Sequence, residues 1–499
     1  MPDMKRFLKL ATKHTFIFSI GDFAQKAVGF LLLPVYMRCL TPGDYGVLEL
    51  LTILSLVFSG IVLQGIPTAS FRAYSFDYGS DDLEQKDVIY TAYTYILLCS
   101  ILLFSGLVAS ASFWSNMLFK QGDFSYYIRL VFITEFFRNT SAIPFVILRA
   151  RLLSAWVAGI TLFRVVVSAT LTIWFVVFND MGVLGVLYAN LIVSILVFVF
   201  SPLIPLIIHR SFLLKISNEK LTRMLKFGWP LVPGIFAAWV MSSFDRYFLE
   251  HFSTRTELGL YAIGFKVSTI LTIGFIGPFR KTWPAIFYPK ARDSDAKEVF
   301  SRFATYFLLV GSIVSLGIIC VSDHLIKLMG TRQYWDASLV VPVLVTGLLI
   351  HGLQATINMG LFVKDKTIYA PLIVISGACV NIVLNALLIP RYGMMGAGVG
   401  TMLSYVVMLT LTYGINQKFY PIEYEYRRLF HLVSVYTFII IVNYGVHIQS
   451  FWWAIPFKTM LFISFIAFLF LTGFFTQQEV LVMRNYCIKY YSLGFKRAQ

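Results

Sequence analysis

The chain has 499 residues, of which 58% are hydrophobic and 13% charged, with a mean hydropathy of +0.76 and a formal net charge of +16. A soluble domain is nearer half apolar and a quarter charged, so the composition excludes a soluble globular protein and points to a polytopic membrane protein. The five cysteines (Cys39, Cys99, Cys320, Cys379 and Cys487) are odd in number and far apart, and no CxxC or His/Cys cluster exists, so neither a disulfide nor a metal site is indicated.

Lys5, Arg6, Lys9 and Lys13 precede an apolar run that is too long for a signal-peptide core and lacks a small-residue cleavage site, so it reads as a first retained span. Apolar runs of about twenty residues then fall near 15–38, 45–71, 88–112, 125–148, 153–178, 182–208, 226–250, 258–283, 299–321, 337–362, 368–389, 393–415, 430–449 and 455–475. Fourteen helical spans are therefore expected, and the missing period-two alternation argues against an outer-membrane barrel. With the N-terminus inside, and residues near span edges counted with the adjoining loops, inner segments carry 28 of the 41 Lys and Arg residues, outer loops carry 7, and six lie deep within spans. This bias predicts that both termini are cytoplasmic, and it accounts for the net charge without nucleic acid.

The first span, within 16–50, carries Asp22 and Lys26 at i, i+4, and ends in the turn Thr41-Pro42-Gly43-Asp44-Tyr45-Gly46. The layout returns: Gly21-x-Phe23-Ala24 as Gly234-x-Phe236-Ala237, and Thr41-x-x-Asp44-Tyr45-Gly46 as Thr254-x-x-Glu257-Leu258-Gly259, both at an offset of 213. Met181-Gly182-x-x-Gly185 matches Tyr392-Gly393-x-x-Gly396 at an offset of 211. A repeat of six spans, an even number, gives two halves of one orientation with a binding site expected between them near the mid-membrane. The expected divisions are 1–210, 211–416 and a remainder, 417–499, holding two further spans.

These residues resemble the polysaccharide transporter branch of the multidrug/oligosaccharidyl-lipid/polysaccharide exporter superfamily, and within it the Wzx-type flippases for undecaprenyl-diphosphate-linked oligosaccharides. The features that carry the likeness are the first-span pattern with Leu40-Thr41-Pro42-x-Asp44-Tyr45-Gly46, then Gly65-Ile66-Pro67 with Arg72, then Tyr392-Gly393-x-x-Gly396-Ala397, and the arrangement 6 + 6 + 2. The likeness covers nearly the whole chain. It implies an all-α, two-lobed, V-shaped transporter like the multidrug exporters, in a bacterial or archaeal cytoplasmic membrane. It further implies a cationic central cavity, alternating access, a polyprenyl-diphosphate-linked glycan as substrate, and a role in O-antigen or exopolysaccharide synthesis beside other assembly proteins of the membrane.

Charges inside lipid-spanning helices are costly and mark sites or partners. Lys26, Arg72, Arg246 and Lys266 are the candidates for holding the diphosphate, Arg as a two-pronged donor and Lys as a point charge. Asp22 and Asp245 are candidates for counter-charge or for coupling to a proton or sodium ion; no other cofactor is implied. The bland alternatives are internal salt bridges, snorkelling, and for Arg72 plain inside-positive topology. Glu135, Arg138 and Arg164 read either as a structural triad in the first half or as further cavity charge. Gln64, His351, Gln354, Asn358, Asn381 and Asn385 suit sugar hydroxyls, or else hydrogen bonds between helices. Pro34, Pro67, Pro230, Pro233-Gly234 and Pro278 mark bends, with Phe227–Gly234 the densest cluster.

Three other readings stay open. A multidrug exporter would want an acidic cavity, whereas the in-span charges lean positive. A lipid II exporter would share that lean. A membrane-embedded polymerase or glycosyltransferase could use Asp293-Ser294-Asp295, but those residues sit in a short basic loop with no soluble domain around them, and no Walker or dinucleotide glycine motif is present. The protein is therefore expected not to be an enzyme.

Overall fold

The computed structural model describes residues 27–78, 81–291, 293–364, 366, 368–446, 451–477 and 479–481. All regular structure among the described residues is helical. Ten helices are long and apolar enough to cross a membrane, and many of their apolar side chains face outward, among them Leu102, Trp156, Phe178, Ile207 and Phe430. An exterior this apolar suits lipid rather than water. The predicted Asp22 and Lys26 lie outside the described residues.

The helices are α1 (Leu33–Cys39), α2 (Pro42–Leu63), α3 (Ile66–Arg72), α4 (Asp82–Ala109), α5 (Ala111–Leu118), α6 (Ser125–Thr140), α7 (Ala142–Ala150), α8 (Ser154–Ile173), α9 (Gly182–Phe200) and α10 (Leu203–His209). There follow α11 (Asn218–Gly228), α12 (Val232–Phe252), α13 (Arg255–Leu271), α14 (Gly277–Lys290), α15 (Ala296–Met329), α16 (Ala337–Ile357), α17 (Met359–Val363), α18 (Tyr369–Phe419), α19 (Tyr426–Gly445) and α20 (Phe451–Leu471). Helix α18 consists of two helical runs that meet at a break at Gly393, where φ is 52°. The break falls between the predicted spans 368–389 and 393–415.

The chain groups into two compact units. One comprises 1–267, 326–340 and 368–408; the other comprises 268–325, 341–367 and 409–499. In the first unit α6 is central and packs against α2, α4 and α9, while α12 lies along α2. The second unit is built on an aromatic stack. Trp283 lies 3.9 Å from Phe303 and Phe287 4.0 Å from Phe300, ring centre to ring centre, and Phe279 stands 4.5 Å from Phe307. Such pairs add about 0.5–1.5 kcal/mol each beyond the area they bury.

The repeated turns are repeated structures. Thr41 caps α2: its hydroxyl accepts the Asp44 N–H at 3.2 Å, and the Asp44 carboxylate accepts the Thr41 N–H at 3.1 Å. Pro42 takes the first helical position, where its missing N–H costs nothing. Thr254 likewise accepts the Glu257 N–H at 3.2 Å, but the Glu257 carboxylate turns away and accepts from Ser253 at 2.7 Å and from the Met394 N–H at 2.8 Å. Gly182 and Gly393, the third matched pair, both take positive φ, 55° and 52°. Each stands beside the turn of its own half, Gly182 near Leu40 and Gly393 against Glu257.

The two turns also meet. A Cβ on Gly46 would lie 2.8 Å from the Arg255 carbonyl oxygen, and one on Gly259 would run into Pro42. At the other end of α2, Gln64 and Gly65 both adopt left-handed conformations, and a Cβ on Gly65 would lie 2.7 Å from the Gly228 oxygen. Glycine is thus required where backbone meets backbone. At Phe227–Gly234 the helix type changes: α11 stops at Gly228, a single tighter turn spans Trp229–Leu231, and α12 starts at Val232.

Candidate functional site

The first unit holds a charged cluster among membrane-length helices. Helix α2 supplies Glu49, α12 supplies Asp245 and Arg246, and α13 supplies Tyr261, Phe265 and Lys266. Arg246 Nε lies 3.5 Å from Glu49 Oε2, and its Nη1 lies 3.2 Å from Asp245 Oδ1 and donates to the Ser242 carbonyl at 2.6 Å. Its guanidinium also stacks over Phe265, 4.7 Å from the ring centre. Tyr261 donates its hydroxyl proton to Asp245. Lys266 Nζ lies 3.5 Å from the other Glu49 oxygen, so one carboxylate bridges the two cations.

Exposure separates the two cations. The Arg246 side chain is 5% exposed and that of Lys266 is 47% exposed. Arg246 is enclosed by carboxylates and rings and acts as the organiser of the cluster, whereas Lys266 shares Glu49 and still presents half its surface. Two acids meet two bases, so the cluster is balanced. The positive lean counted from the in-span residues does not reappear here, because Glu49 was not in that count. Its signal was nonetheless available, since a carboxylate four residues inside the predicted span 45–71 is the kind of in-span charge that singled out Asp245.

The remaining candidates fall elsewhere. Arg72 ends α3 with its guanidinium over the Phe227 ring, 4.6 Å from its centre, and its Nε 4.0 Å from Asp77. Glu135 is buried in α6, where it accepts from Ser55 at 2.5 Å and Ser59 at 2.7 Å and pairs with Arg138 at 2.8 Å. Arg164 on α8 interacts electrostatically with both Glu135 and Arg138. Glu135 and Arg138 with Ser55 and Ser59 form one network tying α2 to α6. Asn385 donates to Asn381 at 2.9 Å, Asn381 to Thr401 at 3.4 Å, and Gln354 to Thr412 at 2.9 Å. All are buried; the Asn385–Asn381 bond lies within one helical run, and the other two join separate runs, as expected of polar glue within a bundle. Tyr95 donates to Gln64 at 2.8 Å. Asp293 and Asp295 are both held by Lys290, at 2.9 and 2.7 Å. Hydrogen bonds from that ammonium keep the Asp295 carboxyl below its usual range. Among the described residues no group of three or more His, Cys, Asp or Glu side chains could hold a metal ion.

Lipid-length helices around a buried ionic cluster define a multi-pass membrane protein built like a transporter. The chain belongs to the polysaccharide biosynthesis protein family, whose model matches residues 35–340, more than half of its length. It is similar to protein 1 of the Lsg locus of Haemophilus influenzae, with 25% identity over 64% of this chain and 77% of that one. It is also similar to the "Probable low-salt glycan biosynthesis flippase Agl15" of Haloferax volcanii, with 22% identity over 40% of this chain and 42% of that one. Its fold is that of the lipid II flippase MurJ in an inward closed conformation, with a TM-score of 0.73 at 13% identity over 91% of this chain and 99% of that one. An inward-facing multidrug resistance MATE family transporter of the MOP superfamily gives a TM-score of 0.64 at 14% identity over 80% of this chain and 94% of that one. The resemblance drawn from the Thr41 turn and the glycine motifs is to this same superfamily.

Proposed function

We propose that the protein is a flippase that carries a polyprenyl-diphosphate-linked oligosaccharide across the cytoplasmic membrane for cell-surface polysaccharide synthesis. The family, the fold and the glycan-biosynthesis flippase among its relatives support this reading. The observation that carries it is Lys266, half exposed beside a carboxylate that also holds Arg246. Glu49 belongs to the first repeat, and Arg246 and Lys266 belong to the second.

In this reading the six-span halves, 1–210 and 211–416, open alternately to the two faces, two further spans follow in 417–499, and both termini are cytoplasmic. Glu49 neutralises Lys266 and Arg246 while the site is empty. The arriving diphosphate displaces Glu49 from Lys266, because an anion of higher charge with more acceptor oxygens wins an ammonium ion. Arg246 stays anchored by Asp245 and keeps the site shaped. Lys26 adds positive charge from the first span, and Arg72 meets the headgroup at the inner surface. The polyprenyl tail stays in lipid while the sugars pass through water. A proton or sodium ion resets the cycle, with Asp22 and Asp245 as its sites.

The test is Lys266→Gln in cells and in liposomes loaded with lipid-linked oligosaccharide. Translocation should stop, oligosaccharide-loaded carrier should accumulate in the inner leaflet, and the folded protein should remain in the membrane; Lys26→Gln should do the same. Wild-type translocation by Lys266→Gln would reject the site. Unchanged lipid pools with altered dye efflux would reject the substrate and point to a multidrug exporter.

A further inference from the structure

A second cationic site lies in the first unit, away from the Glu49 cluster. A cavity of about 270 Å³ opens between the end of α3, the turn 73–78 and α11. Its charged lining is Arg72, Lys220, Arg223 and Lys226 against the single carboxylate Asp77. Ala69, Ala73, Val88 and Met224 form a buried apolar floor.

The lining cations differ in how firmly they are held. Lys220 is buried and committed, 2.7 Å from Glu84 and 3.4 Å from Asp87. Arg72 and Arg223 are each about half exposed and converge on Asp77 from opposite sides, with Nε to oxygen distances of 4.0 and 3.5 Å. Both contacts are longer than the ~2.7–2.9 Å of a charge-assisted hydrogen bond. One small carboxylate therefore stands between two guanidinium forks without satisfying either. The forks are held in place from behind, Arg72 by the Phe227 ring and Arg223 by a 3.2 Å hydrogen bond to the Tyr78 hydroxyl. Lys226 lies exposed at the rim.

The geometry points to a docking site for a phosphate-bearing lipid headgroup at the membrane surface, with Arg72 and Arg223 as the phosphate clamp and Asp77 as the internal anion it displaces. A phosphate group presents more oxygens and more charge than Asp77 and can meet both forks at once. The volume lies just below the ~300–1,000 Å³ of small-molecule pockets, which suits a phosphate headgroup whose attached groups stay outside the pocket. The positive loops around the site place it on the inner face. That sidedness, and the transported lipid as one source of the headgroup, rest on the flippase reading; the pocket chemistry does not.

The experiment uses the full chain in nanodiscs of phosphatidylcholine doped with either undecaprenyl diphosphate or phosphatidylglycerol. Lipid retained after extraction into neutral detergent is counted by mass spectrometry, with elution profile and melting temperature confirming that each variant is folded. The double variant Arg72→Gln/Arg223→Gln should retain roughly tenfold less anionic lipid, as expected for lost hydrogen bonds to charge. Asp77→Asn, which leaves the clamp and removes its competitor, should retain more. A loss confined to undecaprenyl diphosphate identifies a polyprenyl diphosphate headgroup as the occupant, and a loss of both lipids identifies any phosphate headgroup. Unchanged retention of both by the double variant overturns the site, as does an Asp77→Asn variant that loses lipid like the arginine variant. Lys266→Gln, measured alongside, should keep its phosphatidylglycerol retention while translocation fails, so the two readings fall separately.

Discussion

Glu49→Gln tests how the central cluster is balanced. The change keeps the shape of the side chain, removes its charge and turns one acceptor oxygen into an amide donor. Glu49 stands 3.5 Å from each of Arg246 and Lys266. At an effective dielectric constant of about 20, each contact is worth at most ~5 kcal/mol of Coulomb energy. Three features reduce that figure: Lys266 is half exposed and partly solvated, Arg246 keeps Asp245 and the Ser242 carbonyl, and the carboxylate no longer has to be desolvated. The net effect expected is about 1–2 kcal/mol, a factor of roughly five to thirty in an equilibrium. That free energy should appear as tighter binding of undecaprenyl diphosphate, because the internal competitor has gone, together with slower turnover, because the empty site now resets with uncompensated charge. The assay is lipid titration of purified protein followed by liposome translocation. Wild-type affinity together with wild-type turnover would refute the displacement argument. Weakened binding would refute it too, by making Glu49 a support for the site rather than a competitor.

Gly259→Val should destabilise the protein by about 1–3 kcal/mol, the usual range for overpacking, because its side chain would occupy the space of the Pro42 carbonyl. Gly60→Ala on α2 meets nothing within 4 Å and should be neutral or stabilising by up to ~1 kcal/mol; thermal unfolding in detergent compares the two. Glu479 gives a pH prediction. Burial opposes its ionisation, but the Tyr306 hydroxyl, the Thr476 N–H and Arg428 outweigh burial and hold its carboxyl below 4.5. A depressed carboxyl stabilises the fold above its unfolded value and loses that contribution as pH falls through the folded one. Wild type should therefore melt above Glu479→Gln at neutral pH, and the gap should close progressively below pH 4.5; a gap that persists unchanged under acid would contradict the assignment.

Helix placement was largely legible because its signals are local. Thr41 with Asp44, Pro42 at the first helical position and the glycines at 182 and 393 announce helix ends by stereochemistry alone, and each acts as its residue type requires. The break at Gly393 was readable for the same reason. The partners of the in-span charges were not readable. Asp245 and Arg246 are adjacent in sequence, a spacing that does not make helical side chains face each other, yet Arg246 reaches back to Asp245 and across to Glu49. Those choices depend on which helices lie against α12, and nothing in its own sequence encodes that. Glu135 with Arg138, spaced i, i+3, was legible as a pair; the serines 55 and 59 that complete its shell come from α2 and were not.

The acids of the two matched turns differ by one methylene group, and that group decides how far each reaches. Asp44 is short and closes on the threonine of its own turn. Glu257 is longer and reaches the Met394 amide beyond the glycine break. Strain on the second turn therefore reaches a segment far along the chain through its acid, whereas the acid of the first turn stays within its own helix end.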